Sequence, residues 1–455
     1  MAINTCPECL KKQQRIDQLL EENQRLKRKL RYQERMGKEG FFGSSTPSSK
    51  LPFKADMPQD VEKKKSGARI GHKGWGRKTF DESTADRVVE LPALPTCPSC
   101  GLPLEKKGIE DRMIQESRPL KAEKILYRVP RMFCPRCRRA IRPPTPGVLP
   151  KSLYGNQMIA TSASMHYLHG VPLGRVCAQI GIEPGSLTEI FHRLSRLLES
   201  APALLVERYR QAPVKHADET GWRTAGKNGY AWLFATETIS IFRFRQTRSA
   251  AVCREVLGEN PLPGVLLVDR YAAYNKAPCD LQYCYAHLLR DLEDLEKEFE
   301  DDAEVKRFVN ALAPLLSAAM SLRSLPLSDK KFLRRAREIE IQIRAAVLRP
   351  ARHLGIRAYQ DIFRDNENRL YHWARDRTVP ADNNLAERDL RPTVIARKVS
   401  FGSQSEKGAK TREILMTVLH TLKKRHADPV AHLKSVLDII AAHPTLDPLP
   451  ILFPA

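Results

Sequence analysis

Three carboxylates carry the chemistry this sequence offers: Asp218 in PVKHADETGW, Asp269 closing GVLLVD, and Glu387 in PADNNLAERDLRP. Two aspartates at strand ends of one sheet can converge on a hard divalent cation, which takes oxygen ligands. Acidic residues at strand ends are also ordinary turn residues, so the pair needs the third carboxylate to become specific. A second set of ligand types lies upstream. Six of the ten cysteines form three C-x-x-C pairs, Cys6/Cys9, Cys97/Cys100 and Cys134/Cys137, while Cys177, Cys253, Cys279 and Cys284 are scattered. Cys97, Cys100, Cys134 and Cys137 form two knuckles with tight Pro or Gly turns, able to present four thiolates tetrahedrally to a structural Zn²⁺. Four cysteines leave no open coordination position, so catalysis is not expected at that metal. Cys6 and Cys9 are open to either reading, metal ligands or inert thiols. Cys284 and His287 make C-x-x-H without a second pair nearby, and zinc is not expected there.

The elements that must hold the carboxylates can be outlined from pattern. After Pro213 the texture is that of three successive strands, a helical crossover and a buried strand, an α/β core with Asp218 ending the first strand and Asp269 the fourth. Glu387 falls on a short helix opened by Asp382, Asn383 or Asn384 as cap, with Arg391 four residues on and therefore on the same face. A helix-borne carboxylate beside a sheet carrying two aspartates is the geometry of an RNase-H-like active site. There, a pair of divalent ions about 3.5–4 Å apart clamps the attacking and leaving oxygens of a phosphodiester. Between Asp269 and Glu387 lie 117 residues whose apolar positions follow the helical period: Leu288, Leu292, Leu295, then Val305 to Leu316, then Phe332 to Val347. They predict an all-helical insertion.

Upstream, residues 150–200 have helix-turn-helix spacing, with Ser186, Thr188, His192 and Arg193 expected outward, although an ordinary helical hairpin shares the pattern. Ile16, Asn23 and Leu30 with Leu19 and Leu26 give a short heptad register with Asn at one a position. A self-associating coiled coil or a lone amphipathic helix both fit. The last helix is expected to start at Asp428–Pro429 and run through Ala442, as packing.

Charge narrows the class of partner. The chain has 76 Lys+Arg against 53 Asp+Glu, a formal net charge of +23 over 455 residues. Residues 1–80 hold 19 of the basic and 9 of the acidic groups, and arginines cluster again behind Cys134. No apolar run is long enough to span a bilayer and the first residues lack a secretory signal, which argues against a membrane protein or a secreted disulfide scaffold. A polyanion suits the excess. Candidate phosphate contacts are Arg77, Lys78, Arg136, Arg138, Arg139, His287, Arg290, Arg391 and Lys398, with solvated charge as the alternative for the basic side chains and a capping or core histidine as the alternative for His287.

HADETGW, VDRYAAYN, CYAHLLRDL and NNLAERDLRP…RKVSFGSQSEKGA together resemble the transposases of the insertion-sequence-66 family of bacterial mobile elements. The heptad segment, GHKGWGRK and the CPxCG…CPxC ribbon resemble that family's accessory regions in the same order. The resemblance implies that Asp218, Asp269 and Glu387 are a DDE triad holding Mg²⁺ or Mn²⁺. It also implies an RNase-H-like catalytic core with an all-helical insertion, in a multidomain α/β protein with an N-terminal coiled coil, zinc ribbon and helical domain. The expected boundaries are 1–36 coiled coil, 37–85 basic linker, 86–149 zinc ribbon and 150–205 helix-turn-helix-like domain. The core follows as 206–287, interrupted by the insertion at 288–378, and resumes at 379–425 with the Glu helix, leaving 426–455 as C-terminal helix and tail. The implied activity is cleavage at element ends and joining of the 3′-OH to target DNA, in a cytoplasmic, nucleoid-associated homo-oligomer with possible small accessory proteins of the element. Two other readings remain: a DNA-binding protein with a relict acidic site, and a nuclease of the same fold that cuts without joining.

Overall fold

The computed structural model describes residues 15–16, 18–23, 122–129, 132–134, 139–141 and 145–454. All lie in one compact unit, residues 1–52 with 122–455; the second unit, 53–121, falls outside them. Residues 15–16 and 18–23 are helical, with Ile16 and Leu19 exposed. The rest of the heptad segment, the basic linker and Cys6, Cys9, Cys97, Cys100 and Cys137 lie outside the described residues. Within the expected zinc ribbon, β1 (Met132–Cys134) pairs antiparallel with β2 (Arg139–Ile141), Cys134 opposite Arg139, so a hairpin brackets the second knuckle.

The core is a five-stranded mixed sheet whose neighbouring strands run in the order Ser240–Arg245, Lys227–Ala235, Val214–Thr224, Val265–Val268, Asp280–Tyr283. Strands β3 (Val214–Thr224), β4 (Lys227–Ala235) and β5 (Ser240–Arg245) form an antiparallel meander. Ala225 and Gly226, both at positive φ, make the two-residue turn between β3 and β4, the conformation that matches strand twist in a tight hairpin. After a crossover helix, Ala250–Leu257, strands β6 (Val265–Val268) and β7 (Asp280–Tyr283) run parallel to β3. Every residue of VLLV is buried, as a parallel strand covered on both faces requires. This topology, three antiparallel strands followed by two parallel ones on the far side of the first, is consistent with the RNase-H-like expectation.

One of the sheet's two edges is β5, and a helix covers it. The Glu406–Arg425 helix is buried from Thr411 through Leu422, and its side chains complete the strand's unpaired donors. The N–H groups of Ser240, Phe242 and Phe244 donate to Thr421 Oγ1 (3.1 Å), Thr417 Oγ1 (3.0 Å) and Glu413 Oε2 (3.2 Å). Acceptors four residues apart on one helical face meet donors two apart on a strand, so the rises of the two elements nearly match. An open edge is a template for unwanted pairing, and this one is closed.

The predicted insertion is helical, with Ala303–Leu322, Asp329–Val347 and Leu354–Asp365 following the Tyr285–Glu298 helix. Val305, Phe308, Val309, Leu312, Leu316, Phe332, Ala336, Ile339, Ile343 and Val347 are buried in the main core. Upstream, the helices Leu173–Ile180 and Pro184–Leu197 turn at Gly181 in the left-handed region. One expected outward residue there is not outward: His192 is buried and its Nδ1 bonds Thr411 Oγ1 at 2.7 Å, a partner 219 residues away. Arg193 remains exposed but donates to the carbonyls of Pro150 and Lys151. The final long helix is Pro429–Ala442, capped by Asp428 as expected.

Thr417→Val keeps the shape of the side chain but leaves the buried Phe242 N–H without its acceptor. A loss of about 1–3 kcal/mol is expected, read as a lower urea midpoint with unchanged slope.

Candidate active site

Strand register brings the two aspartates side by side. The parallel pairing of β3 with β6 ends at His216 opposite Leu267, and Asp218 and Asp269 each lie two residues further on. Side chains alternate along a strand, so both carboxylates leave on the face of the pair they follow. Asp269 stands just past its strand, with Oδ1 accepting the Tyr271 N–H at 2.9 Å. Asp218 differs from expectation: it sits inside β3 rather than at its end, because the hairpin with β4 continues to Thr224 after the parallel pairing has stopped. Its Oδ1 accepts the Glu219 N–H at 2.9 Å.

Glu387 comes from the Asn384–Ser400 helix, 17 residues rather than a short one. Asn383 precedes that helix, but its side chain does not cap it. Its Oδ1 is 2.8 Å from His216 Nδ1 and its Nδ2 donates to the Ala217 carbonyl at 2.8 Å, while its backbone N–H donates to Cys284 Sγ at 3.1 Å. Burial pushes His216 down to about 4, so the ring is neutral and Nδ1–H is the donor. One asparagine thus ties β3, the start of the His287 helix and the start of the Glu387 helix together. Further along, Asp389 accepts from Ser240 Oγ and pairs with Lys424, which fixes the rotation of the helix about its axis.

The carboxylates feel one another. Asp218 is held well above the ordinary carboxylate range, first by burial, then by Glu219, Asp269 and Glu387. Glu219 is a fourth acid that pattern alone did not single out. Burial and Asp269 raise it to about 7, against Arg248 and Tyr274, which bind its carboxylate. Arg248 Nε and Nη2 donate to Glu219 Oε1 at 2.9 and 2.6 Å, and the Tyr274 hydroxyl donates to Oε2. Tyr271 lies under the Arg248 guanidinium, 3.9 Å from centre to centroid, so Glu219 anchors the turn that follows Asp269.

His287 lies beside Glu387, Nδ1 to Oε1 3.8 Å, too far for a hydrogen bond. Both atoms are buried and neither has a hydrogen-bond partner among the described residues. Burial lowers the His287 pKa against the pull of Asp269 and Glu387. Cys284, His287 and Glu387 offer ligand atoms within 4.8 Å of one another. The thiol is a poor ligand as it stands: burial pushes it up to about 12, and Sγ is engaged by Asn383. The oxygen donors of Asp218, Asp269 and Glu387 suit a hard divalent ion, and the orphaned Glu387 Oε1 is an acceptor for which such an ion is the fitting partner.

The remaining candidates divide. Arg290 is half-buried one turn after His287, while Arg391 and Lys398 are exposed on the Glu387 helix. Arg77, Lys78, Arg136 and Arg138 lie outside the described residues; Arg139 is in β2, its side chain undescribed. Pattern missed Asn383's true partners and the Glu219–Arg248–Tyr274 group, since each depends on a residue far along the chain.

Raised carboxyl pKa values mean that the fold favours the protonated acids. Their stabilising contribution is full below the unfolded pKa and is lost as pH rises through the folded one, for Glu219 between 4.5 and about 7. Asp218→Asn should therefore raise the melting temperature of the metal-free protein at pH 8 by roughly 2–4 °C, with the gain shrinking at pH 4. Thermal scans at the two pH values check this.

A family model described as "Transposase IS66 family" matches residues 151–411. Uncharacterized proteins of Sinorhizobium fredii are similar to this chain. One, y4jD, is 26% identical over 230 residues, covering 46% of this chain and 44% of its own. Another, y4qI, is 25% identical over 323 residues, covering 63% and 59%, and y4hP is 23% identical over 413 residues, covering 80% and 74%. The chain spans about half the length of the first two. The matched residues run from the helical region ahead of the sheet, through β3 and β6 with their aspartates, to the helix of Glu387 and beyond; the chain belongs to the IS66 family of transposases.

Proposed function

We propose that this protein cleaves DNA at the ends of a mobile element and joins the freed 3′-OH to target DNA. Asp218, Asp269 and Glu387 would hold divalent cations, Mg²⁺ or Mn²⁺. The observation that supports the reading is that the pKa of Asp218, on β3, is raised by Asp269, just past the neighbouring strand β6, and by Glu387 from the helix. Such acids repel a phosphate unless cations intervene. Bound ions supply charge neutralisation on the phosphate and lower the pKa of the attacking hydroxyl.

The chain's own residues supply position. Asp218 is fixed by the sheet and Asp269 by the turn that Glu219, Arg248 and Tyr274 pin, so neither has to be ordered when DNA arrives. His287, neutral and unpartnered at Nδ1, stands where it can take or give a proton beside Glu387. Arg290, Arg391 and Lys398 hold phosphates around the site, Arg as a fork and Lys as a point charge. Arg77, Lys78, Arg136, Arg138 and Arg139 extend the grip on DNA. Cys97, Cys100, Cys134 and Cys137 bind Zn²⁺ as a structural ribbon, and residues 1–36 associate copies of the chain for synapsis. No helix among the described residues is long and apolar enough to cross a membrane.

An in vitro assay on element-end DNA with Mg²⁺, followed by scoring of joined products, tests the assignment. Asp218→Ala, Asp269→Ala and Glu387→Ala should each lower cleavage by about 10³-fold or more, with joining lost in parallel. Retained metal-dependent cleavage in all three variants contradicts the triad. Cleavage by the wild type without joining identifies a nuclease instead.

A further inference from the structure

The helix that carries Glu387 presents one continuous face to solvent, and the face changes character along its length. At 100° per residue, Arg388, Arg391, Ile395, Lys398 and Val399 all fall within about 120° of one another, with Glu387 at the margin. All five are exposed, and the opposite face, Ala386, Leu390, Thr393 and Ala396, is buried. Near the active site the exposed face is basic. Towards its end it becomes apolar, with Ile395 55% and Val399 46% exposed, and it finishes at Phe401, 72% exposed.

Phe401 is also held in an unusual backbone. Its φ is +61°, in the left-handed region that an aromatic residue rarely adopts. The surrounding bonds over-determine it: Phe401 N–H donates to Arg397 O, Ser403 N–H to Arg223 O, and Ala225 N–H to Ser403 O. Arg397 reaches the Gly221 carbonyl at 3.1 Å, and Trp222 Nε1 donates to Ser403 Oγ at 3.2 Å. Gly402 must be glycine, since a Cβ would meet Arg223 O at 2.2 Å. The loop is built tightly against the β3–β4 hairpin while its one large side chain faces water. A strained residue kept in place by its surroundings, with a bare aromatic ring, points to a ligand for the ring.

We propose that this face is the track of the DNA strand leaving the active site, Arg388 and Arg391 engaging its phosphates and Phe401 stacking on an unpaired base. The inference rests on the reading of the site as one that cuts DNA, and names how that DNA is held. The face continues from Glu387, bears only basic charge, and ends in an apolar platform that suits the flat face of a base and not a phosphate. At 1.5 Å per residue, Phe401 lies about 21 Å along the helix from Glu387.

A forked DNA with a fluorescent adenine analogue in its unpaired arm tests this, in Ca²⁺ to allow binding without cleavage. Wild type should quench the analogue. Phe401→Ala should abolish the quench and weaken binding by about 5–100-fold, Phe401→Leu should behave like the alanine variant, and Phe401→Trp should retain both. Phe401→Gly should lose the quench yet melt at the wild-type temperature or about 1–3 °C above it, which separates loss of stacking from loss of fold. An unchanged quench and affinity in Phe401→Ala or Phe401→Leu overturns the proposal. So does a shift in sedimentation of the DNA-free protein on Phe401→Ala, which would place the ring between two copies of the chain. The two readings fail separately: a Phe401-dependent quench from a protein that never cleaves in Mg²⁺ removes the catalytic reading and leaves the stacking. Cleavage with no dependence of binding on Phe401 does the reverse.

Discussion

Everything at the site depends on keeping like charges together. Asp218, Glu219 and Asp269 sit within a few residues' reach of one another on adjacent strands, and Glu387 is brought to them from more than a hundred residues further on. Left alone, such a cluster would spread apart. Asn383 prevents it by spending every hydrogen-bonding group of its side chain on β3 and its backbone N–H on Cys284. The contacts are neutral, so they hold at any pH at which His216 is unprotonated, and burial ensures that by lowering its pKa to about 4. A buried amide bonded at both its oxygen and its nitrogen is specific as well as stabilising, because any other placement of the Glu387 helix leaves those groups unmatched.

The rest of the fold makes that clasp rigid. On one side of the site, Glu219 with Arg248 and Tyr274 secures the turn beyond Asp269. On the other, the Glu406–Arg425 helix seals the β5 edge and supplies Lys424 to Asp389, so the Glu387 helix cannot roll. Rigid elements position functional groups better than loops do. Only the far end of the Glu387 helix departs from this economy, where Phe401 is strained and exposed.

Much of the core was legible because it is periodic. The apolar positions of the insertion follow the helical repeat and are buried as that repeat requires, and VLLV reads as a covered strand ending in Asp269. Asp218 could be recognised but not placed, since nothing local to HADETGW says that the hairpin runs on past the parallel pairing. His192, Asn383 and Glu219 were misread or passed over for one shared reason. Each is polar, each looks outward or capping by local pattern, and each is buried by a partner that is distant in sequence: Thr411, His216 and Arg248. Local periodicity reports which face of an element is apolar. It carries no information about a polar side chain whose match is supplied by tertiary contact.

The role given to Asn383 can be measured without any DNA. Mn²⁺ titration of the wild type and of Asn383→Ala, each checked by circular dichroism for an intact fold, reads the arrangement of the carboxylates directly. Because the Asn383 side chain bonds none of the expected metal ligands and its backbone bond to Glu387 survives the substitution, a folded variant whose Mn²⁺ affinity falls by about tenfold or more is the expected result. A folded variant that binds Mn²⁺ as tightly as the wild type would contradict it.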